Sequence, residues 1–181
     1  EHLHPDKIDF DDQNVYENIY HAGKWAGVFQ FTETGVQNFC KRSQPKNLTD
    51  LAAITAIYRP ATLGADADKA YLEAKDGTKH VDYSHPIVKE VTEETYGLLI
   101  FQEQIAALAH KLGKDISLDE GNVLRKLLVT EYSQARQQGA SKNVKKLEKI
   151  KKKFFDGCRE KEMVEGQIQD LWDKFKLFSG Y

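Results

Sequence analysis

The sequence predicts a mainly α-helical fold with a few short strands. Apolar residues recur at helical spacing through most of its 181 residues. Those stretches open at Asp, Thr, Ser or Pro and close at Gly or Pro, the residues that start and stop helices. Only two short runs, Trp25 to Phe31 and Val81 to Tyr83, read differently.

Taken in order, Asp11-Asp12 can cap a short helix carrying Val15, Tyr16 and Ile19, stopped by Gly23. Trp25 to Phe31 is apolar and aromatic and reads as a strand or buried turn. Thr34 can cap a helix with Val36, Phe39 and Cys40 on one face, ended before Pro45. Thr49 can cap the next, Asp50 to Tyr58, which Pro60 ends by forcing Arg59 out of the helical region. Asp66 to Lys75 is a further helix, closed by Asp76-Gly77, and Val81 to Tyr83 a short strand. Pro86 suits a first helical turn ahead of Ile87, Val88 and Val91. Gly97 breaks the chain, and Leu98 to Leu112 reads as a long buried helix ended by Gly113. Ser117 and Glu120 have capping-box spacing ahead of Val123, Leu124, Leu127 and Leu128. The polar stretch 133–141 contains Gly139 and reads as a mobile loop. Two helices follow, near 142–160 and 164–178.

Composition narrows the function classes. With 40% hydrophobic and 30% charged residues and a mean hydropathy of −0.60, the chain can bury a core and remain soluble. No apolar run approaches the roughly 18 residues of a membrane span, and the polar start, Glu1 to Pro5, has no signal-peptide character. It also lacks an initiator Met, which implies a piece of a longer chain. Two cysteines, Cys40 and Cys158, are too few for a disulfide framework and suit a reducing cytoplasm. The net charge of −2 hides an asymmetry: residues 121–181 hold 14 Lys and Arg against 8 Asp and Glu, and residues 1–120 hold 12 against 20. A basic C-terminal third points to a polyanion, or to ordinary solvated faces.

The basic charge is concentrated. Seven lysines and one acid, Glu148, fall between Lys142 and Lys153. At about 100° per residue, Lys142, Lys145, Lys146, Lys149, Lys152 and Lys153 share one helical face, and Val144, Leu147, Ile150, Phe154 and Cys158 the opposite one. Such a stripe suits phosphate backbones, and equally a solvated helix face. Arg125-Lys126 lies about two turns after Ser117 on an apolar helix and should face a cleft or solvent. A structural salt bridge from Arg125 to Glu120 or Asp119 is the rival reading. Gln102-Glu103-Gln104 on an apolar helix reads as a hydrogen-bond network holding neighbours together. The histidines have no metal-site spacing, and His110 reads as a core or rim residue. No phosphate loop, nucleophile elbow or recognisable cysteine nucleophile occurs, so neither catalytic nor metal-binding residues are assigned.

A set of segments in fixed order carries a resemblance: Val28-Phe29-Gln30-Phe31-Thr32-Glu33-Thr34-Gly35, Arg59-Pro60-Ala61-Thr62, Thr95-Tyr96-Gly97-Leu98-Leu99-Ile100-Phe101-Gln102-Glu103-Gln104, Leu124-Arg125-Lys126 and Gly180-Tyr181. From about Val28 to Tyr181 the chain resembles the helical fingers domain of the C-family DNA polymerases, the replicative alpha subunits of bacteria and some phages. Two departures mark a divergent member: Ala61-Thr62 stands where the family has Gly-Pro, and Leu127 to Glu131 stands where a Gly-Lys-Lys stretch usually follows. The resemblance implies a segment that binds incoming dNTP and template–primer DNA, next to palm and thumb domains and replisome proteins. Divalent magnesium would be held by palm aspartates outside this chain, so the fragment alone should not extend a primer. It places Arg125 and Lys126 at the nucleotide phosphates, Arg59 near them and Tyr181 near the incoming base. The lysine stripe adds candidate DNA contacts from the residues themselves. The expected organisation is a fingers core over 1–132, the loop 133–141 and a basic helical hairpin over 142–181, acting in the bacterial cytoplasm, or the host's if phage-encoded. The alternative reading is a non-catalytic helical nucleic-acid-binding module; a plain protein-interaction domain explains the charge asymmetry least well.

Overall fold

In the computed structural model, which describes residues 4–58, 66–134 and 141–179, helices account for most of the chain and no strand occurs among the described residues. The backbone forms two compact units, Glu1–Lys79 and His80–Tyr181.

In the first unit, the Asp12 carboxylate accepts the Asn14 N–H at 2.9 Å and starts α1, Gln13–Val15, which passes directly into a π-helical stretch, Tyr16–His21. Gly23, at φ +73°, ends it. Trp25 to Phe31 is a run of turns rather than a strand. Gly27 at φ +79° and Gln30 at φ +64° reverse the chain before any extended run can form. The turns fold Trp25 onto the Phe31 ring at 5.4 Å, while Tyr20 meets Phe31 edge-on at 5.7 Å.

Helix α2, Thr34–Ser43, buries Val36, Phe39 and Cys40 as the spacing predicts. Its cap position is Glu33 and Thr34 is the first helical residue, so the helix starts one place earlier than expected. Helix α3, Leu48–Ile57, is capped by Asn47, whose side chain accepts the Asp50 N–H at 2.8 Å; Thr49 lies inside the first turn. Helix α4, Ala67–Lys75, follows and ends at Asp76.

Asp50 is the polar centre of this unit. It is 4% exposed. Its carboxylate accepts from the Tyr71 hydroxyl at 3.0 Å, the Lys75 ammonium at 2.7 Å and the Lys46 N–H at 2.9 Å. A carboxylate so desolvated is tolerated only when its oxygens are paired in this way.

The second unit begins with an irregular stretch. The strand expected at Val81 to Tyr83 does not form: these residues have no regular secondary structure and join no ladder. Helix α5, Pro86–Thr92, has Pro86 in its first turn and His85 as cap, with Nδ1 accepting the Ile87 N–H at 3.1 Å. Gly97 breaks the chain at φ +78°. Helix α6 runs Gln102–Leu112, four residues shorter at its start than expected. The reason is Gln104, which is buried. Its Oε1 accepts the Ile100 and Phe101 N–H groups at 2.7 and 2.9 Å, and its Nε2 donates to Thr95 Oγ1 at 2.7 Å. These bonds hold residues 98–101 in a non-helical approach, so the network expected of the Gln-Glu-Gln segment resides in Gln104.

Helix α7, Leu118–Gln134, starts at the expected capping box: Ser117 Oγ accepts the Glu120 N–H at 3.1 Å and Glu120 Oε2 accepts the Ser117 N–H at 3.3 Å. Helices α8, Ser141–Glu160, and α9, Glu165–Ser179, complete the unit. Of the loop expected over 133–141, positions 133 and 134 end α7, position 141 begins α8, and 135–140 lie outside the described residues. Helices α5 to α9 share one core, with Ile105, Leu108, Leu112, Leu124, Phe154, Ile168, Trp172 and Phe175 fully buried within it. Each such side chain contributes about 1.5–3 kcal/mol by leaving water. Two glycines set its spacing. A Cβ on Gly121 of α7 would strike the Ala106 backbone of α6, and one on Gly157 of α8 would strike the backbone at Leu112 to Lys114.

Candidate nucleotide and nucleic-acid interface

Helix α7 carries the first candidate pair. Leu124 and Leu128 are fully or almost fully buried and fasten the helix to the core, with Val123 and Leu127 partly buried beside them. Arg125 and Lys126 are left at the surface, Arg125 half-buried and Lys126 exposed. The Arg125 Nη1 group donates to the side-chain oxygen of Gln102 at the start of α6. Neither acid of the rival reading takes it: Glu120 binds Ser117 and Lys153, and Asp119 is exposed on the first turn. Among the described residues, the Arg125 charge is therefore steadied by a neutral amide and paired with no carboxylate. The other two residues of the expected nucleotide site, Arg59 and Tyr181, lie outside the described residues.

Helix α8 carries the second group. Its inner face is as the spacing predicts, with Leu147, Ile150, Phe154 and Cys158 buried; Val144 departs from it and is 46% exposed. The neighbour missed from spacing alone is Phe155, also buried. Lys145, Lys146, Lys149 and Lys152 are exposed, and among the described residues none of them has an ion-pair partner. Lys142 lies in the first turn, its side chain outside those described. Lys153 differs: its ammonium reaches the Asp115 carbonyl at 2.9 Å and both Glu120 oxygens at 2.9 and 3.1 Å. That hydrogen bond, more than any other influence, holds the Glu120 carboxyl below its ordinary range. Lys151 lies over the rings of Phe155 and Trp172, at 5.4 and 5.9 Å from their centres.

Sequence reasoning placed Lys153 with the outward lysines and missed its partner. The available signal was the capping box itself, which puts a carboxylate at the start of α7. The Gln102 partner of Arg125 had no such signal, because it depends on how α6 and α7 pack.

The two cysteines and His110 are set in the fold as follows. Burial pushes the Cys40 and Cys158 thiols up to about 12, so both are protonated at neutral pH. His110 is a rim residue, with Nδ1 2.7 Å from the Ile116 carbonyl. No group of three His, Cys, Asp or Glu side chains is placed to hold a metal among the described residues. No helix among them is long and apolar enough to cross a membrane.

The result is a helical scaffold that carries Arg125, without a carboxylate partner among the described residues, on one helix and a lysine row on the next. Comparison with known proteins gives it a lineage. The family of the bacterial DNA polymerase III alpha subunit finger domain matches residues 1–162, and the chain belongs to that family. Among its relatives, the DNA polymerase III subunit alpha of Campylobacter jejuni is 29% identical over 174 residues, covering 96% of this chain and 13% of the relative. The proteins of the same name from Aquifex aeolicus and Saccharopolyspora erythraea are 29% and 32% identical, covering 97% and 96% of this chain and 14% of each relative. The chain thus spans about one seventh of the length of these relatives, 13–14%.

Proposed function

We propose that this chain is the fingers segment of a replicative DNA-directed DNA polymerase, and that Arg125 and Lys126 engage the phosphates of the incoming dNTP while the domain also meets template–primer DNA. The observation that carries this reading is Arg125 itself. Its helix is fixed by Leu124 and Leu128, its guanidinium is steadied by Gln102, and among the described residues no carboxylate pairs with it. A preorganised positive fork is what stabilises charge on a transferring phosphate without reorganising during the reaction. Arg59 and Tyr181 are proposed to complete the nucleotide site. Magnesium belongs to this chemistry as a clamp on the reacting oxygens. The described residues of this chain do not fit it, and no metal step is assigned to them. The polymerase would work in the bacterial cytoplasm, or in that of the host if phage-encoded, alongside palm and thumb domains and other replisome proteins.

The test is Arg125→Ala in the full-length polymerase. The expected result is a raised nucleotide KM or a lowered kcat, with DNA affinity almost unchanged. Lower thermal stability with unaltered nucleotide kinetics would assign Arg125 a packing role and overturn the proposal.

A further inference from the structure

The seven lysines between Lys142 and Lys153 are alike in sequence and unlike in the structure. Lys153 closes the gap between α8 and the start of α7 by binding Asp115 and Glu120. Lys151 covers the Phe155 and Trp172 rings. Of the six among these seven whose side chains are described, Lys145, Lys146, Lys149 and Lys152 are exposed and have no ion pair among the described residues. Their helix is held by its buried face, and Gly157 seats it on the backbone of Leu112 to Lys114, so the row stands on a firm support.

We infer that this outer face of α8 is a seat for the phosphodiester backbone of duplex DNA, formed by Lys145, Lys146, Lys149 and Lys152, in which Lys151 and Lys153 take no part. The inference deepens the fingers reading and rests on it. Lys145 to Lys152 spans about 10 Å along the helix, the axial length of roughly three phosphates of one strand. Single-stranded DNA is gripped by aromatic side chains that stack on bases. The aromatic residues of α8, Phe154 and Phe155, are both buried on its other side. What remains is charge without base contact, which holds a duplex in place without reading its sequence. Glu148 is the one acid among these lysines, three residues after Lys145 and four before Lys152, and it lowers the charge of the face without pairing with either.

The experiment uses the 181-residue chain and fluorescently labelled DNA, with affinity measured across a salt series for duplex and for single strand of the same length. The triple variant Lys145→Gln, Lys149→Gln, Lys152→Gln should keep its thermal midpoint, since these side chains are exposed and unpaired. Its duplex binding should weaken, and its salt slope should fall by about 2.7, at about 0.9 per lost phosphate contact. The advantage of the parent chain should accordingly shrink about 40-fold between 50 and 200 mM salt, the same slope expressed as a ratio. Lys153→Met should do the reverse, lowering the thermal midpoint and leaving the slope alone. An unchanged slope in the triple variant, an equal loss of slope in Lys153→Met, or tighter binding of single strand than duplex would each overturn the inference. In the full-length polymerase at saturating DNA, the triple variant should leave the nucleotide KM alone, so failure of this seat and failure of the Arg125 reading show themselves in different measurements.

Discussion

The two units bury polar groups in opposite ways. The first places a full charge pair in its interior: Asp50 and Lys75 have side chains only 5% and 10% exposed and meet at 2.7 Å. The second places a neutral amide there, Gln104, and keeps its ion pairs at the rim, as between Lys111 and Glu90 or Lys153 and Glu120. The difference follows from what each must hold. Asp50 gathers three separate elements, the Lys46 turn, α3 and α4, around a smaller set of apolar residues. Gln104 only has to fix the approach to one helix in a unit whose large apolar core does the rest. Charge is the stronger tie and the more dangerous one to lose.

The largest effect should come from breaking the charged tie on one side. Asp50→Ala leaves Lys75 buried without a partner and should cost about 3–5 kcal/mol, read as an early unfolding transition of the first unit by denaturant titration. Replacing both partners, with Asp50→Leu and Lys75→Met together, should recover much of that loss, because no isolated charge remains. If the double variant is as unstable as the single, the tie is doing something other than satisfying charge.

Breaking the neutral tie should cost less. Gln104→Ala strands the Ile100 and Phe101 N–H groups and should destabilise the second unit by about 1–3 kcal/mol. Hydrogen exchange should quicken at residues 98–101 before the rest of that unit. A loss as large as that of Asp50→Ala would remove the distinction between the two devices.

The smallest effect should lie at the rim. The folded Glu120 carboxyl titrates below its ordinary value of 4.5, chiefly through the Lys153 hydrogen bond, with the Ser117 N–H adding to it. A depressed carboxylate stabilises the fold above its unfolded value and loses that contribution as pH falls below about 4.5 and through the folded value. The Glu120 side chain is 39% exposed, so solvent screening limits the gain to at most about 1 kcal/mol. Glu120→Gln should flatten the acid limb of the stability profile of the second unit by that amount, and an unchanged limb would show the pair to be energetically silent.

Helices and their faces were legible because they depend on neighbours three and four residues apart. Val36, Phe39 and Cys40 on α2 and the Ser117–Glu120 box on α7 are decided locally, and the structure has them as the spacing predicts. The failures are long-range or depend on backbone sign. Nothing local announces that Gln104 will reach back to Thr95 and shorten α6, or that Gly27 and Gln30 will both turn left-handed and break the Trp25 to Phe31 run. The candidate site divides the same way. The outward direction of Lys145, Lys149 and Lys152 is helical geometry, whereas the diversion of Lys153 to Glu120 and of Arg125 to Gln102 arises only when α8 meets α7 and α7 meets α6.

Gly157 brings α8 onto the chain at Leu112 to Lys114 with no side chain between them, and the Lys114 N–H donates to the Lys153 carbonyl at 2.9 Å beside it. Side chains between helices act as compliant cushions, because they can change rotamer when one helix is pushed. Here main chain bears directly on main chain. The helix that carries the lysine row is thus joined through main chain to the corner where α6 ends, and α6 and α7 are the helices that carry Gln102 and Arg125.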